Sequence, residues 1–308
     1  MSAVEQVAVR VATEESFDLA EGPVWDPIRE KLLWVDIRQG TVLVGDLHDD
    51  GTIAIVDRVS TPGMIGAVAV SEAGDWILAG ERKILTRSVD GRLGVGPTVL
   101  DSGSGRRLND GKPDPAGRFV VGTLKIDESE TAEERLVVVQ PDGHLDDLDD
   151  DLTLSNGLAW TADGSLLYSI DTGHQVVHVR DYDVATGSAG PRRVLVTIKG
   201  NVYPDGMCLD VDGHLWIAIW GGGQVRRYSP DGVLERTIDV PALHTSCVSF
   251  AGPELATMVI TTATKDLSAE QLAAFPLSGR LFTADAGVTG LAPRLWSGHP
   301  NSLTTPNN

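Results

Sequence analysis

Four side chains with oxygen donors stand directly ahead of the glycine that opens a recurring short stretch: Glu21 in "EGPVW", Asp110 in "DGKPD", Asn156 in "NGLAW" and Asp205 in "DGMCL". Taken singly, each is ordinary turn chemistry, because Asp and Asn bond their own backbone and favour reversals. Brought together, Glu21, Asn156 and Asp205 would form a different object. Two carboxylates and a carboxamide make a hard oxygen set, suited to Ca²⁺, Mg²⁺ or Mn²⁺ and compatible with Zn²⁺. Three protein ligands also leave positions open for water or a substrate, as catalytic metal sites do. Whether these side chains meet depends on the elements that carry them.

Those elements repeat. A short glycine-led stretch begins at residues 22, 66, 111, 157 and 206, with a degenerate sixth copy, "SCVSF", at 246. A second strand-like run follows each one, as in "KLLWVDI", "DWILAG", "GRFVVGTL", "SLLYSID", "GHLWIAIW" and "LATMVITTA". Turn-rich links such as "DPIRE", "SEAG", "TADG" and "DVDG" separate the two runs. Third runs come next, and then more polar fourth runs such as "GTIAIVDR" and "VLERTIDV". Four short strands in each unit of about 40–50 residues is the pattern of a β-propeller blade. The sequence therefore predicts an all-β, six-bladed β-propeller spanning residues 1–308 as a single domain. "VEQVAVRVATEES" is expected to add an outer strand to the last blade, and "KDLSAEQLAAF" to form one short helical insertion.

In a propeller the innermost strands surround a channel, so equivalent positions form a ring. Ahead of the repeat's first glycine stand Glu21, Ile65, Asp110, Asn156, Asp205 and, in the sixth copy, Thr245. Four oxygen-bearing acidic or amide groups around one axis is a costly lining unless a cation sits among them. Trp25, Trp34, Trp76, Trp160 and Trp216 recur at matching positions and read as packing between blades, while Trp220, beside "GGG", points to the channel mouth.

Bulk properties narrow the function. A formal net charge of -19 argues against nucleic acid or an anionic membrane as partner. The N-terminus lacks the basic start and long apolar core of a secretory signal, which makes a cytoplasmic protein the expectation. Cys208 and Cys247 read as buried free thiols. No serine-hydrolase elbow or phosphate-binding loop appears, and His174 with His178 reads as a pair of partly exposed strand histidines. The acidic run "LDDLDDDL" lacks the central glycine of a calcium-binding loop and reads as a solvated connection between blades.

"AEGPVWDPIREKLLWVDI", "RRLNDGKPDPAGRFVVGTL", "LSNGLAWTADGSLLYSID" and "YPDGMCLDVDGHLWIAIWGGG" closely resemble the gluconolactonase / senescence-marker-protein (regucalcin-like) family over nearly the whole chain. That resemblance implies a six-bladed propeller holding one divalent cation, and a hydrolase that opens lactones of sugars or related compounds. By motif it makes Glu21, Asn156 and Asp205 the metal ligands, with Asp205 also the group that takes a proton from the attacking water. It makes Arg107 and Asn109 substrate-binding groups, and puts Asp127 near the place of the family's substrate-contacting glutamate, with a shorter side chain. Asp110 falls in the ring by the repeat yet outside the family's ligand set, and reads as a turn residue or a group behind the ligands. The cofactor implied is one divalent ion, Ca²⁺ before Zn²⁺, Mn²⁺ or Mg²⁺, and the partner a small lactone. Two other readings stand beside it: an esterase or phosphotriesterase on the same scaffold, and a calcium-binding propeller without turnover.

Overall fold

The structure, a computed structural model, describes residues 7–127 and 132–303. Its strands fall into six antiparallel sheets of four strands each, arranged as the blades of a β-propeller. The innermost strands, in chain order, are Ala20–Asp26, Ile65–Val70, Arg106–Pro113, Ser155–Trp160, Tyr203–Leu209 and His244–Ala251. The second strands, such as Trp76–Gly80 and Leu215–Trp220, are apolar throughout because both of their faces are covered.

The hydrophobic core is a set of seams between neighbouring blades. One seam joins Ile77 and Ala79 of the second blade to Phe119 and Val121 of the third. Another joins Trp216 of the fifth blade to Phe250 and Phe282 of the sixth. Trp25 and Trp34 occupy the seam between the last and first blades, Trp76 and Trp160 two of the others. The recurring tryptophans do pack between blades.

The ring closes by mixing the two ends of the chain. Val9–Val11 is the outermost strand of the last blade and pairs antiparallel with Phe282–Asp285, Val9 opposite Ala284 and Val11 opposite Phe282. A helix, Ala269–Ala274, interrupts this blade where the sequence places one, capped by Ser268. Residues 287–303 then run back beneath the propeller. Leu291 N bonds Leu209 O in the fifth blade, Arg294 Nη2 bonds Ala162 O in the fourth, and Trp296 N bonds Val70 O in the second. Among the described residues, no helix is long and apolar enough to cross a membrane.

One expectation is corrected. "LDDLDDDL" is not a loop between blades but the outermost strand of the third blade, Leu145–Leu152, paired with Glu134–Val139. Its carboxylates are tolerated in a strand because arginines answer them. Arg180 grips Asp149 through two bonds of 2.9 and 2.6 Å, Arg192 reaches Asp151 at 2.6 Å, and Arg135 reaches Asp147 at 2.7 Å. Arg180 and Arg192 belong to the fourth blade, so the acidic strand ties two blades together.

The inner strands approach each other very closely at the repeat's glycines. A Cβ added at Gly66 would lie 2.4 Å from Asn109 O, and one added at Gly157 would lie 2.6 Å from Asp205 O. The sixth copy has Ser246 in place of glycine, and its hydroxyl uses the closeness, donating to Ala20 O at 2.6 Å across the closing seam. Gly157→Ala must therefore displace the strand that carries Asp205. Overpacking of this kind costs about 1–3 kcal/mol, and urea unfolding of that variant is expected to show a loss of this size.

Candidate active site

Each innermost strand breaks register with its neighbour at the ring position. The slips fall between Glu21 and Val24, Ile65 and Ala67, Leu108 and Gly111, Asn156 and Leu158, Pro204 and Met207, and Thr245 and Cys247. A β-bulge re-aims a side chain and ends regular pairing. Six such slips in equivalent places set Glu21, Asn156 and Asp205, all buried, around one axis.

These three side chains meet at a cavity of about 300 Å³, whose wall also includes Arg107, Asn109, Lys125, Trp220 and Lys265. A chain of hydrogen bonds fixes their orientation. Arg107 Nη1 donates to Asn109 Oδ1 at 2.8 Å, and Asn109 Nδ2 donates to Asn156 Oδ1 at 3.2 Å and to Ser155 O at 2.9 Å. Asn156 Nδ2 donates to Thr172 Oγ1 at 3.2 Å, and that hydroxyl donates to Pro204 O at 2.9 Å, one residue before Asp205. Asn109 thus sits between Arg107 and Asn156, so it positions both groups as well as lining the cavity.

Nearby basic groups do not offset the burial and mutual repulsion of the ring carboxyls. Burial, followed by the nearby charge of Asp110, pushes the Glu21 carboxyl up to about 8, against an ordinary value of 4.5. Burial, followed by the charges of Glu21 and Asp110, pushes Asp205 well up, although a hydrogen bond from Asn156 opposes the rise. Asp110 Oδ2 is buried without a hydrogen-bond partner. Buried carboxylates at such closeness need a counter-charge. The donor set of Glu21, Asn156 and Asp205 at this cavity fits a hard divalent cation.

Asp110 itself lies in a strand of the ring rather than a turn, and it faces the opposite side. With Lys112 and Cys208 it lines a second cavity of about 110 Å³, beneath which Leu291 and Arg294 of the returning C-terminal segment pass. Lys112 Nζ donates to Met207 O at 2.5 Å, and Asp110 and the surrounding anionic groups help hold its ammonium charged. Neither cysteine is in a disulfide; Cys247 is buried and Cys208 only half-buried.

Other expectations are placed as follows. Asp127 is exposed, in the turn two residues beyond the strand Phe119–Lys125, and the cavity wall at that strand end is made by Leu124 and Lys125. The rest of that loop, residues 128–131, lies outside the described residues. Trp220 does face the channel mouth, stacked on His244 at 4.1 Å with Lys265 over its ring. His178 lies in the strand Val176–Asp181, whereas His174 precedes it in a turn and meets Asp171 at 2.8 Å. The sequence reading passed over Lys125, Lys265 and Thr172, which stand at or just past the ends of second strands, beyond the glycine-led repeat that marks the ring. It also passed over Asp210, Asp212 and His214, whose ligand atoms lie within 4.8 Å of one another. Asp210 there is already engaged, by Arg227 Nε and by Trp216 Nε1, each at 2.9 Å.

Six blades around a buried, oxygen-lined axis that opens into a walled cavity define a six-bladed propeller with an axial cavity. A family model described as the SMP-30/Gluconolactonase/LRE-like region matches residues 19–264, and the chain belongs to that family. Regucalcin of Xenopus laevis is 32% identical over 303 residues, an alignment covering 96% of this chain and 100% of that relative. A structure described as a calcium-binding protein, regucalcin, from Agrobacterium tumefaciens superposes with a TM-score of 0.87 at 27% identity, covering 94% of this chain and 98% of that one. A luciferin-regenerating enzyme superposes at 0.85 with 26% identity, covering 94% and 99%.

The raised carboxyls have a consequence for stability. Protonation of Glu21 favours the metal-free fold, so its contribution is full below 4.5 and is lost as pH rises toward about 8. Thermal melts of chelator-treated protein should fall across that window more steeply than those of Glu21→Gln. Added divalent cation should flatten the wild-type profile, because the ion supplies the charge that protons otherwise cancel. A Glu21→Gln profile that follows the metal-free wild type would overturn this account.

Proposed function

We propose that this chain is a divalent-cation-dependent hydrolase that opens the ring of a sugar-derived lactone. The observation that carries the reading is a single cavity holding both a buried oxygen ring and Arg107, a substrate-sized arrangement that a bare cation site does not need. Membership of a family whose description includes gluconolactonase supports the same reaction. The cation is taken to be Ca²⁺ first, in keeping with the hard oxygen donors and with a neighbour described as calcium-binding.

A divalent ion held by Glu21, Asn156 and Asp205 supplies positive charge that polarises a carbonyl and makes water more acidic. The chain's own groups do the rest. Arg107, fixed through Leu108 O and Asn109, presents a planar fork to ring oxygens or hydroxyls. Trp220 offers an apolar wall against which a sugar face can lie. Asp205, ionised when it holds the cation and made more basic by its burial, accepts the proton of the attacking water as that oxygen bonds to the carbonyl carbon. The bond between the acyl carbon and the ring oxygen then breaks, the ring oxygen takes up a proton, and an open-chain hydroxy acid results.

A pH-indicator assay on a panel of sugar lactones tests this, with metal-stripped protein and with added Ca²⁺, Mg²⁺, Mn²⁺ or Zn²⁺. Turnover above the spontaneous rate that appears only with cation is the expected result. No acceleration in any combination would reject the lactonase and leave esters, or binding without turnover, as readings of the site. Asp205→Ala is expected to abolish cation binding by calorimetry and to reduce kcat/KM by roughly 10³ or more, since it removes a ligand and the proton acceptor together. Arg107→Ala should raise KM by about tenfold to a hundredfold, the loss of a charged hydrogen bond, while cation binding persists.

A further inference from the structure

The cavity wall above the ring has a charge that the rest of the molecule does not predict. The sequence carries 44 acidic residues against 25 Lys and Arg. Yet beyond the ring carboxylates Glu21 and Asp205, the charged side chains lining this cavity are Arg107, Lys125 and Lys265, all basic. Once a divalent cation balances the two carboxylates, the wall is left strongly positive.

The three basic groups are not equivalent. Arg107 is held by Leu108 O and Asn109 Oδ1, and its charge acts on Glu21. Lys265 pairs with Asp266 at 2.8 Å, lies over Trp220, and acts on Asp205. Lys125 is different. It is the last residue of the strand Phe119–Lys125, half-buried, and among the described residues its ammonium has no hydrogen-bond or ion-pair partner. An ammonium partly withdrawn from water without an acceptor is unfavourable, and a bound anion relieves it.

We propose that the substrate of this cavity is an anionic lactone, carrying a carboxylate or phosphate group that is seated on Lys125 while the ring carbonyl faces the axial carboxylates. Arg107 and Lys265 add field to that seat, and Lys125 determines the preference for a charged substrate over a neutral one. The identity of the substrate rests on the lactonase reading above; the anion seat itself does not.

The test compares kcat/KM of the cation-loaded enzyme on gluconolactone, on its phosphomonoester at the terminal carbon, and on an aldaric lactone matched in ring size to a neutral counterpart. Wild-type protein is expected to prefer one or both charged lactones, and which one it prefers tells phosphate from carboxylate. Lys125→Ala should lower the charged-to-neutral ratio by roughly tenfold to a hundredfold, the range of a hydrogen bond to a charged group. Lys125→Arg should retain most of the ratio and Lys125→Glu should invert it. Equal use of charged and neutral lactones by wild type overturns the proposal. So does a preference that survives in Lys125→Ala, which would mean that the cation reads the anion. If no lactone is turned over, the lactonase reading fails and the seat is examined by calorimetry, with glucitol against its terminal phosphomonoester. Lys125-dependent preference for the phosphomonoester then supports the seat, and equal binding ends it.

Discussion

Backbone carbonyls of adjacent inner strands lie so near the axial glycines that one added methyl would overlap them, at 2.4 Å for Gly66 and 2.6 Å for Gly157. That closeness governs the centre of the molecule. It allows six strands to converge, and each strand answers the crowding with a register slip that turns one side chain toward the axis. Side chains from blades far apart in sequence then share a space too small and too dry to screen them from one another. The raised carboxyls of Glu21 and Asp205 and the orphaned oxygen of Asp110 are results of the same convergence. A cation held there would stabilise the fold, because it would remove a repulsion that the strands themselves create.

Much of this was legible in the sequence because a propeller writes its geometry as a period. Glycine recurs where strands crowd, so the residue before it recurs where side chains meet, and Glu21, Asn156 and Asp205 could be aligned without coordinates. The sixth copy was faint because Ser246 replaces the glycine, and the structure shows the reason: its hydroxyl bonds Ala20 O across the closing seam. Lys125 and Lys265 were not legible, since they stand at or just past the ends of second strands, away from the glycine-led repeat. The acidic run at 145–152 misled because charge was read locally. Its partners, Arg180 and Arg192, come from the next blade, and no short-range pattern announces them.

The outer parts of the blades are held by a second recurring device. Asp26, Asp114 and Asp210 stand at the turn after the first strand of the first, third and fifth blades, all fully buried. Asp26 binds Arg29 Nη1 at 2.8 Å, Asp114 binds Arg118 Nε at 2.6 Å and Tyr182 Oη at 2.6 Å, and Asp210 binds Arg227 and Trp216. Each carboxylate is satisfied by arginine and by backbone or ring donors, so these clasps are structural. At the axis, by contrast, burial and mutual repulsion outweigh the nearby basic groups, and the carboxyls of Glu21 and Asp205 are raised.

The mixed composition of the last blade also bears on how the protein is made. Residues 9–11 leave the ribosome more than 250 residues ahead of Phe282–Asp285, the strand they pair with. Blades can form one after another as they emerge, each burying a seam against its predecessor, but the two free faces of the unfinished arc stay open until the final strand arrives. The seam that carries Trp25, Trp34 and Phe17 is therefore exposed until the last blade has been made. In a nascent chain, that apolar face is where a chaperone would have to stand guard, and ring closure is the event that releases it.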